Sequence, residues 1–275
     1  MDVSSLITNS IQILILAFAI AVSFRSLKIK GGSVVIFYFT FGMICMLLAD
    51  FYWIACGLID SEIMDPYNIN EIGEMGSALL FASVLNVVFK NKKAEVGLSI
   101  FLTILFTIAV TVLWIFWSDE LVKNIIGGVY FGYFMCVIVA SVKKTGALKK
   151  AEEIILWITV FVILILEYMV IYLPETVSLI LDIICYIIIY GLLAYLVLRA
   201  VLQFRLAYKD KSIEVSEIAL TLSFFAYLWS QNAMFMSYEP LYTIAGMTGI
   251  FMILLSLFAV LLVEKKKESG KEERV

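Results

Sequence analysis

Runs of about twenty apolar residues, each closed by a short charged break, recur along almost the whole of this 275-residue chain. One such run, wound as a helix, suffices to cross a hydrocarbon core of ~30 Å. A backbone in hydrocarbon must satisfy its own hydrogen bonds, so the pattern predicts an all-α, polytopic transmembrane bundle. Reading from break to break gives about nine spans, at 5–24, 33–58, 70–89, 96–117, 121–142, 153–173, 176–199, 214–236 and 241–263. They form one membrane domain over 1–263, followed by a charged tail over 264–275. Composition agrees, with 63% hydrophobic and 16% charged residues and a mean hydropathy of +1.03, far from the balance of a soluble domain.

The placement of the cations predicts orientation. Arg25, Lys28 and Lys30 follow the first span, Lys90, Lys92 and Lys93 the third, and Lys143, Lys144, Lys149 and Lys150 the fifth. Arg199, Arg205, Lys209 and Lys211 end or follow the seventh, and Lys265, Lys266, Lys267, Lys271 and Arg274 the ninth. Nineteen of the twenty cations thus fall on one side of a nine-span protein, with Lys123 opposite. The intervening loops carry Asp60, Glu62, Asp65, Asp119, Glu120, Glu175 and Glu239. The positive-inside rule then puts the C-terminus in the cytoplasm and the N-terminus outside. Asp2 is the only charge before Arg25, an order that suits a retained first span rather than a cleaved signal peptide.

Matched segments at near-constant offsets suggest a parallel four-plus-four helix repeat with a ninth helix added. They are Asn9-Ser-Ile with Asn124-Ile-Ile, Ala49-Asp50-Phe51 with Leu166-Glu167-Tyr168, and Trp117-Ser118-Asp119 with Trp229-Ser230-Gln231. The alternative is coincidence among nine Ile/Leu-rich helices.

Several chemistries drop out. The sequence has no histidine, which removes His-based zinc sites, Ser-His-Asp triads and His proton relays. Cys45, Cys56, Cys136 and Cys185 lie in apolar segments without C-x-x-C spacing and read as small core residues. No basic stripe points to nucleic acid, and no bound cofactor is implied. Gly128-x-x-x-Gly132 and Ala245-x-x-x-Gly249 read as close helix-packing motifs.

What remains is acid placed inside the spans. Ionisable residues there are costly and usually face a bundle interior or a cavity. Asp50 lies roughly 12 Å, and Glu167 and Asp182 about 9 Å, from the outer span ends at ~1.5 Å rise per residue. Glu71 and Glu74 open the third span one turn apart, at a helix N-terminus that favours anions anyway. Gln12, Gln231 and Asn232 reach similar depths. Ser178, Asp182, Tyr186 and Tyr190 recur at four-residue steps and so share one face of span seven. Ser223, Tyr227, Ser230 and Gln231 do much the same in span eight, so the two helices are expected to line a common crevice. With only Lys123 opposing them, these carboxyls cannot all stay charged in a dry site. They are protonated, wetted from outside, or bind a cation.

The first reading is therefore a transporter or channel-like protein whose outward site uses Asp50, Glu167 and Asp182 for a cation, a proton or a cationic solute. Glu74, Gln231 and Asn232 would be secondary polar ligands, and Tyr186 and Tyr190 would offer hydroxyls or ring faces. The second is a receptor-like sensor that signals through a partner on its basic cytoplasmic loops. The third is a carboxylate-dependent membrane lipid hydrolase. The competing structural reading makes the same groups hydrogen-bonded ties between helices.

The many-helix, N-outside plan resembles the membrane sensor regions of bacterial histidine kinases, which would imply a separate signalling partner for this chain. Intramembrane aspartyl proteases carry Gly-x-Gly-Asp, whereas Asp182 sits in Ile180-Leu-Asp-Ile. Ceramidase and CAAX-protease types need histidines. The Lys/Ile-rich composition suggests a bacterial plasma membrane.

Overall fold

A computed structural model describes residues 3–29, 33–59, 69–118, 121–210, 212–235 and 240–272. Among them there are nine α-helices and no strand. They are α1 (Val3–Ile29), α2 (Val34–Ile59), α3 (Ile69–Val88), α4 (Gly97–Ser118), α5 (Leu121–Thr145), α6 (Lys150–Tyr172), α7 (Glu175–Lys209), α8 (Ile213–Phe235) and α9 (Leu241–Glu272). Seven are long and apolar enough to cross a membrane by length and composition. In α3 the apolar stretch is the shorter Ile72–Val88, and α8 falls outside the class. The chain therefore has the make-up of a multi-pass membrane protein.

Helix ends follow local chemistry. Pro174 stands at the start of α7, where a missing N–H costs nothing. α5 ends at Gly146, whose φ of 64° only a residue without a Cβ adopts freely. The Ala147 N–H then closes back on the Val142 carbonyl at 3.2 Å, the six-to-one bond of a Schellman ending. α7 and α9 run about ten residues past their expected apolar limits, because Ala200–Lys209 and Glu264–Lys267 are good helix formers with no proline among them. The N–H of Asp210 bonds the Leu206 carbonyl at 2.8 Å to finish α7.

α8 is the axis of the bundle. Every residue from Ala219 to Ser230 is buried, and α8 packs against α5, α7 and α9. Around it, α1 packs on α2 and α9, α3 on α2 and α5, and α4 on α5 and α6, with α6 on α7. A ring cluster of Phe39, Phe81, Phe134, Phe224 and Tyr227 joins α2, α3, α5 and α8. Gly42 makes room for it, since a Cβ there would lie 2.6 Å from the Phe81 ring. Peripheral helices carry their large apolar residues outward instead, as at Leu179, Ile180, Ile183 and Ile187 of α7, the surface expected to meet lipid.

Both small-residue motifs act as contact seams. A Cβ on Gly128 would fall 2.0 Å from Thr111 Oγ1, and one on Gly132 would fall 2.6 Å from Thr107 Cγ2. α5 thus lies against a hydroxyl stripe of α4, where Thr103, Thr107 and Thr111 each donate to the carbonyl four residues back. That back-bonding satisfies a hydroxyl where no water is present.

The two ends of the bundle differ. One, here the C-terminal face, gathers the ends of α1, α3, α5, α7 and α9. The other, the N-terminal face, gathers the starts of α1, α3 and α9 with the ends of α2 and α8.

Candidate functional site

At the N-terminal face a cavity of about 100 Å³ opens among α1, α2, α3, α8 and α9. Helical periodicity assembles it. Thr8 and Gln12 lie one turn apart on α1, and Met46, Ala49, Asp50 and Trp53 form one face of α2. Glu74 comes from the second turn of α3, Tyr227 and Gln231 from α8, and Tyr242 and Thr243 from the start of α9. No lysine or arginine lines it among the described residues.

The centre of this cavity is Asp50. The Gln12 side-chain N–H donates to Asp50 Oδ1 at 2.9 Å. Asp50 Oδ2 is buried and has no hydrogen-bond partner among the described residues. A carboxylate oxygen withdrawn from water and left unbonded is costly, so this atom needs a proton, a water or a cation. Two glycines shape the surroundings. A Cβ on Gly73 would lie 2.9 Å from the Cys45 carbonyl, so glycine lets α3 close on α2 just below Glu74. A Cβ on Gly249 would lie 2.8 Å from Gln231 Nε2, so glycine leaves space for that amide beside the cavity. The buried Tyr227 hydroxyl points at Met46 Sδ, 3.9 Å away, a weak bond in a well-packed floor.

Of the residues read from the sequence, Asp50, Glu74 and Gln231 meet here, with Gln12. The remainder lie elsewhere. Glu167 is only 3% exposed and faces the Cys185 thiol and Asp182 across the α6–α7 contact. Tyr190 donates its hydroxyl to the Leu241 carbonyl at 2.6 Å, tying α7 to the start of α9. Tyr186 is half-buried on α7, and α7 contributes no wall to this cavity. Asn232 follows Gln231 in sequence, about 100° further round the helix. It lines an apolar crevice on the other side of α8. The Glu71 side chain and Asp60, Glu62 and Asp65 lie outside the described residues. Thr8, Asn9, Tyr242 and Thr243 are wall residues that sequence reading passed over, since hydroxyls and amides at span ends are too common to single out.

The donor set limits the chemistry. Two carboxyls, three carboxamides, hydroxyls and the Trp53 indole make a wall rich in acceptors. No group of three or more Cys, Asp or Glu is placed to hold a metal ion among the described residues. Among the described residues the wall thus lacks the dense carboxylate cage of a calcium-type site.

The C-terminal face is constructed differently. Among the described residues, several charges between helices there have a partner of opposite sign, a hydroxyl or a carbonyl. Glu217 of α8, 4% exposed, pairs with Lys92. Glu153 takes Lys143 and the Ser99 hydroxyl at 2.9 Å. Arg199 of α7 donates to Glu152 at 2.8 Å and to the Ala147 carbonyl at 3.2 Å. Ser33 donates to Glu264 at 2.6 Å. Lys266 donates to Ala207 O, Ser212 O and Ser216 Oγ, within 2.9 Å.

Comparison of the chain with protein-family models, with curated proteins and with solved structures finds no match to any of them.

Proposed function

We propose that this is a nine-span plasma-membrane protein, its N-terminus outside, that takes a cation, a proton or a small cationic solute into the cavity around Asp50 and works as a transporter or channel-like protein. The observation that carries this reading is the buried, unbonded Asp50 Oδ2 in a wall without a lysine or arginine. A carboxylate there lacks a counter-charge, and a cation entering from the N-terminal face would supply one. Glu74, Tyr227 and Gln231 stand around the same space to replace part of its hydration. A volume of about 100 Å³ accommodates a few waters, each with a ~30 Å³ share of the liquid, or one small ammonium.

The ion-paired C-terminal face closes the path beyond the cavity. Passage would need those pairs to part, and in particular Lys92–Glu217 beside the central helix. The orientation rests on the cation distribution. The same reading takes α5–α8 as a second copy of α1–α4. In its favour, α4 packs on α5 as α8 packs on α9, and α3 on α5 as α7 on α9. Against it, the α1–α2 contact has no comparable α5–α6 counterpart.

Single cysteines test the cavity. After removal of the four native cysteines, Asp50→Cys, Glu167→Cys and Asp182→Cys are treated in intact cells with a membrane-impermeant thiol reagent, with Ala219→Cys as the buried control. Fast labelling at position 50, slowed by sodium, potassium or a methylammonium probe, is the expected result. Flux of the protecting ion in proteoliposomes then follows. Saturable binding without flux would replace transport by ligand sensing, and no labelling at position 50 would make Asp50 a structural tie.

A further inference from the structure

The wall of the Asp50 cavity is only partly polar. Among its carboxyls and amides stand Trp53, Tyr227 and Tyr242, with Met46 and Met234 beside them. An inorganic cation gains from oxygens that replace its water, and thioethers and ring carbons add little to that. Such a lining is matched by a ligand with a carbon surface of its own.

Helix geometry puts the two kinds of wall within reach of one small molecule. Trp53 lies three residues after Asp50 on α2, a spacing that sets two Cβ atoms about 5–6 Å apart on one face. A cation held on the carboxyl is thereby within range of the indole, which attracts it at up to ~6 Å from the ring centroid. Tyr242 adds a second ring from the start of α9, one turn before Gly246. A Cβ on Gly246 would lie 3.4 Å from Met234 Sδ, so the thioether packs close to the α9 backbone at the same cavity. An unbranched methionine adapts to the outline of whatever it meets.

The carboxyl sets the other requirement. Gln12 donates to Oδ1, and the buried Oδ2 has no hydrogen-bond partner among the described residues. A protonated amine brings an N–H to that oxygen in a charge-assisted bond, whereas a quaternary ammonium has no N–H to give. The volume of about 100 Å³ equals the share of roughly three waters, which limits the amine to about three or four heavy atoms.

Taking the cavity to be a cation site, as proposed above, we infer that its ligand is a small protonated alkylamine. The N–H sits on Asp50 Oδ2 and the alkyl groups lie against Trp53, Tyr242 and Met234.

Calorimetric titration of the purified chain with trimethylammonium, tetramethylammonium, sodium and potassium chlorides, at one ionic strength and neutral pH, tests the class. Trimethylammonium is expected to bind about tenfold or more tighter than either alkali ion, and about fivefold or more tighter than tetramethylammonium. Trp53→Leu should lower the trimethylammonium affinity about fivefold and leave the alkali ions unchanged. Should that variant not fold, Tyr242→Leu takes its place, since Tyr242 is 42% exposed. Alkali ions that bind as tightly as trimethylammonium overturn the amine and leave a site for an inorganic cation. Equal affinity for trimethylammonium and tetramethylammonium overturns the bond to Oδ2, and an unchanged affinity in the ring variant overturns the aromatic contact. No binding of any of the four also overturns the amine. Thiol labelling at position 50 then decides the wider reading: a reactive position keeps a cavity for the proton, and an unreactive one removes the cation site altogether.

Discussion

The two ends of the bundle treat charge in opposite ways. At the C-terminal face, buried Glu217 has its Lys92, and Lys266 has three oxygens. At the N-terminal face Asp50 keeps a buried oxygen unbonded beside an open cavity. A carboxylate with its partner built in holds helices together, whereas one left with an unbonded buried oxygen is, in the function proposed above, kept for a cation that arrives from outside. On that reading the same residue type serves stability at one end and recognition at the other.

Substitution can break this contrast. Asp50→Asn is expected to weaken cation binding by about 10- to 100-fold, the ~1.5–3 kcal/mol of a hydrogen bond to a charged group. Its melting temperature should hold or rise. A fall in stability with binding intact would make Asp50 a tie like Glu217. Lys92→Ala should do the reverse, lowering stability by about 1–3 kcal/mol through the orphaned Glu217, with cation affinity unchanged in an equilibrium binding assay. Lys92 is partly solvated, which keeps the effect toward the lower end.

Gly249→Ala sharpens the comparison at the cavity wall. Its Cβ would press on the Gln231 amide and Ser230, an overpacking cost of about 1–2 kcal/mol. Thermal melts and binding isotherms should both record it, and a change in stability alone would remove Gln231 from the binding set. Tyr190→Phe is the smallest, a loss of about 0.5–1.5 kcal/mol in stability from the bond to Leu241. Binding should not change, and a lowered affinity would bring α7 into the site after all.

The apolar runs predict helices in the nine regions where helices lie, because the apolar core of a helix in such a chain is written in hydropathy. The continuation of α7 to Lys209 and of α9 to Glu272 is not, since a helix leaving hydrocarbon obeys propensity rather than apolarity. The expected depth of these groups along their spans is consistent with Asp50, Glu74 and Gln231 lining one cavity. Direction around each helix axis was not legible. Glu167 and Asp182 look similar in sequence but meet each other across α6 and α7, and Asn232 turns away from its neighbour Gln231. Which way a polar face looks depends on the order of helices in the bundle, and no single span contains that order.

α8 shows the cost of reading hydropathy alone. It falls outside the strongly apolar class, yet its middle is wholly covered by protein. A segment shielded on all sides gains little from fatty surroundings, and its serines, glutamine and asparagine would resist them. During synthesis such a segment emerges after α5 and α7 but before α9, its most extensive neighbour. Its integration therefore depends on companions already in place and on one still to come. Truncation after Phe235 should leave α8 poorly inserted, and the last helix then serves as the clasp that completes biogenesis.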